Sequence, residues 1–144
     1  MRALIAAALL VAAAPAIAQD TPSAEGAEVY FIEPADGDTI SGPVKVVFGL
    51  SGMGIAPAGV VKENTGHHHL FINRPALGEG EFGEDEFEFA MASDENHIHF
   101  GGGQTETVLD LPAGTHTLQL VLGDDSHVPH DPPVVSEVIT ITVE

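Results

Sequence analysis

Pro43-Val44-Lys45-Val46-Val47-Phe48-Gly49-Leu50 alternates: Val44, Val46, Phe48 and Leu50 share one face of an extended chain, and Lys45 lies on the other. Successive strand side chains point to opposite faces, so this stretch reads as a half-buried β-strand. The pattern recurs in both directions. Upstream, Val29-Tyr30-Phe31-Ile32 runs into the turn cluster Pro34-Ala35-Asp36-Gly37-Asp38. Downstream, residues 52–66 are glycine-rich and loop-like, and His68-Leu70-Ile72 then alternates with His67-His69-Phe71. Residues 78–88 are acidic, with Phe87 and Phe89 read as closing them in a short strand. His97 to Phe100, Thr105 to Leu111 and Thr115 to Leu122 alternate again, separated by Gly101-Gly102-Gly103 and Pro112-Ala113-Gly114. A loop over residues 123–133 leads into Val134–Val143, where Ile139, Ile141 and Val143 face inward. Past the first residues no run holds a 3.6-residue period. About seven or eight short strands with Gly/Pro turns predict an all-β fold, an antiparallel immunoglobulin-like β-sandwich. Each sheet is expected to keep one wet face.

The amino terminus reads differently. Met1-Arg2, an apolar run from Ala3 to Ala14, and Ala16-Ile17-Ala18 form the three parts of a signal peptide, with cleavage expected before Gln19. The expected organisation is a signal peptide at 1–18, a flexible leader at 19–27 and one β-sandwich domain at 28–144. That predicts a periplasmic or secreted protein with no membrane span after cleavage.

The formal charge is −18, and cleavage would leave only Lys45, Lys62 and Arg74 against 22 acids. Such a chain repels phosphate backbones, which argues against nucleic acid as a partner, and it attracts cations. There is no cysteine. The domain therefore folds without disulfides, and any metal must be held by imidazole, carboxylate, carbonyl or thioether.

Eight histidines fall in clusters at 67, 68, 69, then 97 and 99, then 116, then 127 and 130. In His97-Ile98-His99 the two rings share a strand face with Cα atoms roughly 6–7 Å apart. Two imidazoles so placed can converge on one ion at bonds of about 2 Å. His67 and His69 have the same relation. His127 and His130 lie in a loop stiffened by Pro129, Pro132 and Pro133. The candidate metal ligands are therefore His67, His69, His97, His99, His127 and His130. His68, on the Leu70 face, reads as a buried histidine with its hydrogen bonds satisfied, and His116 as a structural residue near a sheet end. Gly101-Gly102-Gly103 lacks the Lys-Ser/Thr of a phosphate loop and reads as backbone closely approached by the histidine cluster. Met53 and Met91 are possible soft ligands for Cu(I), although packing suffices to explain them.

Three segments carry a resemblance: Gly66-His67-His68-His69-Leu70; His97-Ile98-His99-Phe100-Gly101-Gly102-Gly103-Gln104-Thr105; and His116 to Gly123-Asp124 with His127, Pro129-His130 and Pro132-Pro133. Together they resemble the bacterial exported family catalogued as domain of unknown function 4399. The resemblance implies a small exported β-domain and no particular biochemistry. At the level of fold, Pro112 to Leu118 and the closing Ile139-Thr140-Ile141-Thr142-Val143 are similar to CopC-like periplasmic copper carriers.

The residues themselves point to a histidine-rich domain binding Cu(II) or Zn(II) as carrier, buffer or sensor. A structural or interaction domain of the cell envelope, with an envelope protein as partner, is the first alternative. A metal-dependent enzyme is the second, and no Ser-His-Asp spacing suggests a metal-free hydrolase.

Overall fold

The alternating runs build nine strands among the described residues, 21–91 and 93–144, of this computed structural model. The expected signal peptide and Gln19-Asp20 lie outside the described residues. In order, the strands are β1 (Glu28–Glu33), β2 (Thr39–Ile40), β3 (Val44–Ser51), β4 (Gly54–Ile55), β5 (Thr65–Ile72), β6 (His97–His99), β7 (Glu106–Leu109), β8 (Gly114–Gly123) and β9 (Ile139–Val143). β1, β3 and β7 form a three-stranded sheet. The larger sheet runs β2-β9-β8-β5-β4, and β6 also pairs with β5. The long pairings are antiparallel, as the hairpin-like spacing predicts. The two-residue pairings β2–β9 and β4–β5 are parallel. No described helix is long and apolar enough to cross a membrane.

The inward faces meet as the alternation requires. Val44, Val46 and Phe48 of β3 pack against Leu70 and Ile72 of β5, Leu118, Leu120 and Leu122 of β8, and Ile139, Ile141 and Val143 of β9. Each fully buried aliphatic side chain stabilises the fold by roughly 1.5–3 kcal/mol. The last strand is shorter than its sequence pattern. Val134 and Ser136 still bond to Leu122 and Leu120 backbone groups, but regular pairing begins only at Ile139.

Two expectations change. The larger sheet keeps a wet face at β9 and the start of β8 but not at β5, which is buried on both sides from Gly66 to Ile72. Residues 73–91 fold back over its outer face, where Phe71 and Val121 meet Leu77, with Phe87 and Met91 packed against them. Within that cover, Gly83–Phe87 is a 3-10 helix, not the acidic stretch closing in a strand. Glu86 explains the turn: its carboxylate takes the Arg74 guanidinium and the Gly78 N–H together, folding the acidic segment on itself. The Gln119 side chain accepts the Leu77 N–H and pins the segment to β8.

The described part of the expected leader is laced to the 124–132 loop. Pro22 bridges Asp131, Asp131 N–H donates to the Thr21 carbonyl, and Thr21 Oγ1 donates to Asp124 Oδ2 at 2.7 Å.

His116 plays the structural part expected of it. Its Nε2–H donates to the Pro112 carbonyl at 2.8 Å and its Nδ1 accepts from Asn73 Nδ2 at 2.9 Å, joining the start of β8 to the end of β5. Replacing His116 with Ala removes both bonds at a buried site and should cost about 1–3 kcal/mol. Urea denaturation measures this, and a midpoint equal to wild type would contradict the role.

Candidate metal centre

Strand register decides which histidines meet. β5 pairs β6 with His69 opposite His99 and Phe71 opposite His97, so all four residues share one face of the sheet. β5 pairs β8 with His67 opposite Gly123 and His69 opposite Val121. His67 and His69 therefore join His97 and His99 on the outer face, while His68, Leu70 and Ile98 turn inward. His127 arrives from the loop after β8. Its φ of 69° is unusual for a residue with a side chain. Asp124 holds that turn: its Oδ1 accepts the Ser126 and Val128 N–H groups, and its carbonyl accepts the His127 N–H.

The rings converge closely. His67 Nε2 lies 3.0 Å from His127 Nδ1 and 3.0 Å from His69 Nε2. His69 Nδ1 lies 2.8 Å from His97 Nε2. One ring nitrogen each from His67, His99 and His127 falls within 4.8 Å of the others. Ligands about 2.05 Å from an ion stand about 3.3 Å apart at a tetrahedral centre and about 2.9 Å apart at right angles. The nitrogen separations around His67 already lie in that range. Two nitrogens in the cluster, His67 Nδ1 and His99 Nε2, are buried without a hydrogen-bond partner. His67, His69 and His97 are buried, whereas His99 and His127 are half-exposed, so the cluster opens to solvent on the His99–His127 side.

Burial sets the protonation. It lowers the His69 imidazole to about 2, with the His67, His97, His99 and His127 rings adding to the effect. It lowers His67 to about 4, reinforced by His127 and His99 and opposed by the Asp124 carboxylate. His99 is lowered first by burial and then by His127. These rings therefore offer lone pairs, not positive charge, at neutral pH. Protonation and metal binding compete for the same nitrogens.

The model of the family described as domain of unknown function DUF4399 matches residues 46–144. The chain belongs to this family. All eight histidines fall within the matched span. No curated protein matches the sequence. Among solved structures, the chain is similar to the endo-beta-1,4-mannanase from Thermotoga petrophila at 17% identity and a TM-score of 0.46, over 83% of this chain and 20% of that one. The chain thus spans a fifth of that enzyme's length.

Five of the six candidate ligands of this family member come together: His67, His69, His97, His99 and His127. His130 does not join them. Its ring sits on the core side near Gly66, with Nδ1 3.3 Å from the Leu122 carbonyl and Nε2 3.2 Å from the Thr65 carbonyl. The left-handed turn at His127 and the following Pro129 send the two loop histidines to opposite sides of the β5–β8 pair. His68 is buried as expected, with the Gln104 backbone as a polar neighbour in poor hydrogen-bond geometry. It packs on Phe48 with ring centroids 4.9 Å apart, and neither ring nitrogen makes a well-formed hydrogen bond. Burial lowers it to about 4, opposed by the Gln104 backbone.

Three supports were not singled out from the sequence: Asp124, Gly123 and the cover carrying Met91. A Cβ on Gly123 would fall 2.6 Å from His69 Nε2. The close approach expected of the Gly101 run is present, since a Cβ on Gly101 would fall 2.3 Å from His99 Nε2. Both glycines give way to imidazole.

The depressed values fix the sign of a pH effect. In the unfolded chain these histidines protonate near 6.5, while folded His67 and His68 do so only near 4. Their contribution to stability is complete above about pH 7 and is lost as pH falls from 6.5 toward 4. Ring NMR of the metal-free protein at pH 5.5 should find His67, His68 and His69 neutral. A charged His69 there would contradict the buried cluster.

Proposed function

We propose that the protein is an exported metal-binding module, a carrier, buffer or sensor of Cu or Zn. The observation that carries this reading is the convergence of His67, His99 and His127, whose ring nitrogens lie within 4.8 Å of one another. Imidazole donors suit Cu and Zn better than Ca or Mg. Residues 1–18 support export, and the acidic surface raises the local concentration of cations.

His69 lies outside that group of three, but its Nε2 stands 3.0 Å from His67 Nε2, and in this reading it would close in as a fourth donor. A neutral imidazole carries one proton, and His69 has a histidine partner on each side. With that proton on Nδ1, shared with His97, the Nε2 lone pair faces His67 and the ion. His97 is then a positioning residue that fixes the His69 tautomer from behind, as partners of metal-bound histidines do. His130 lies on the other side of the strand pair and is no ligand.

Calorimetric titration at neutral pH tests the assignment. The wild type should bind one Cu(II) or Zn(II) more tightly than about 10 µM, roughly 7 kcal/mol. His67→Ala combined with His127→Ala should abolish this, while His130→Ala should leave it intact. If the wild type binds neither of these ions nor Cu(I) that tightly, the histidines are structural and the reading fails.

The His97 role has its own signature. His97→Ala should weaken binding by about 10–100-fold with the stoichiometry still one. His97→Gln, which keeps an acceptor for the His69 N–H, should recover part of the loss. A fall from two ions to one would instead make His97 a ligand of a second ion.

A further inference from the structure

We infer that the ion this cluster is built to hold is monovalent copper, Cu(I), an inference that rests on the metal-binding function proposed above. The first support is charge. The converging donors are imidazoles, with no carboxylate among them. Among the described residues the buried carboxylate is that of Asp124, which follows the Gly123 paired with His67 and whose backbone carbonyl accepts the His127 N–H. Its oxygens are already committed: Oδ1 accepts the Ser126 and Val128 N–H groups, and Oδ2 accepts the Thr21 hydroxyl. Asp124 therefore serves as a counter-charge, not as a ligand. One buried negative charge balances one positive charge. A divalent ion in the same cage would leave an unbalanced charge, and the cost of desolvating an ion rises with the square of its charge.

The second support is independent of charge. Met91 is tied to the site by its backbone, whose N–H donates to the His127 carbonyl at 2.9 Å. Its Cε lies against Gly123, 3.2 Å from the point where a Cβ would stand, and His69 Nε2 lies 2.6 Å from that same point. The methyl end of the thioether thus reaches the rim of the imidazole cluster, on the side of the His127 loop. Thioether sulfur is a soft donor that selects Cu(I), whereas Zn(II) gains little from it beside available imidazole. The absence of cysteine leaves methionine as the soft residue of this chain.

The test uses the whole mature protein under anaerobic conditions. Cu(I) affinity is measured by competition with bicinchoninate, and Zn(II) and Cu(II) affinities by competition with calibrated chelators. Cu(I) should bind on the order of 1,000-fold more tightly than Zn(II), about 4 kcal/mol. Met91→Leu preserves the packing volume and should weaken Cu(I) about tenfold while leaving Zn(II) unchanged. X-ray absorption of the Cu(I) form should show a sulfur neighbour in the wild type that the variant lacks. Zn(II) or Cu(II) binding as tightly as Cu(I), or a Met91→Leu effect equal for all ions, overturns the preference for Cu(I) and leaves the metal-binding function standing. Failure to bind any of the three overturns both.

Discussion

A one-residue slip between β5 and β6 would carry His97 and His99 to the face that holds Leu70 and Ile72. Strand side chains alternate strictly, so register alone decides whether four imidazoles meet or scatter. The slip is opposed by both faces at once. In the observed register Ile98 lies opposite Leu70 and packs against the main core, while His97 lies opposite Phe71 with ring centroids 4.8 Å apart. Moving either strand by one residue would bury imidazole in the sandwich and push Ile98 out of it. The apolar core therefore fixes the position of the polar site, although the two lie on opposite sides of the same sheet.

The site in turn depends on its cover. Imidazoles on an open sheet face would be hydrated and would titrate in the ordinary range. Here residues 73–91 seal the sheet over Phe71 and Val121, and the 124–132 loop closes the His67 end. Asp124 connects the loop to what precedes the domain, since Thr21 donates to the same carboxylate that shapes the His127 turn. A short stretch before β1 thereby helps hold a ligand more than a hundred residues away in sequence. The cover leaves His99 and His127 half-exposed and His67 and His69 buried, so an entering ion would meet the first two rings before the others.

The sandwich was legible in the sequence because Pro43–Leu50 and Thr115–Leu122 alternate cleanly and Gly/Pro turns divide them. The face shared by His67 with His69, and that shared by His97 with His99, were legible for the same reason, since parity along a strand names the face; the register that makes the two faces one was not. Parity does not give depth, which is why His97 reads as equal to His99 until the structure places it behind His69. The cover was illegible because its anchors, Leu77, Phe87 and Met91, are spaced without any period. His130 was misplaced because a left-handed residue at His127 and the following proline reverse the chain, and loop backbone carries no parity rule. The expected wet face holds at β9 and fails at β5, because burial there comes from a covering segment that shows no alternation of its own.

A cluster of histidines serving only to hold the fold together would be expected to close its own hydrogen bonds, since a buried polar atom left unpaired costs about 1–3 kcal/mol. His116 meets that standard with a partner on each nitrogen. The outer-face cluster does not: His67 Nδ1 and His99 Nε2 are buried and unpartnered, as are both nitrogens of His68 behind it. His67 Nε2 is meanwhile approached by two other ring nitrogens at once, His69 Nε2 and His127 Nδ1, although a single proton can serve only one such contact well. Apolar residues of the same size would fill this space without those costs. Two glycines are also spent to bring the rings in, at positions where a Cβ would strike His69 or His99. An arrangement that is expensive while empty, and whose nitrogens already stand at ligand separations, is one whose cost a bound ion would repay. The same reasoning explains why burial is strongest at His67 and His69: a dry pair of neutral rings gives up little water to a cation and holds it against exchange, while the exposed edge at His99 and His127 keeps a route in.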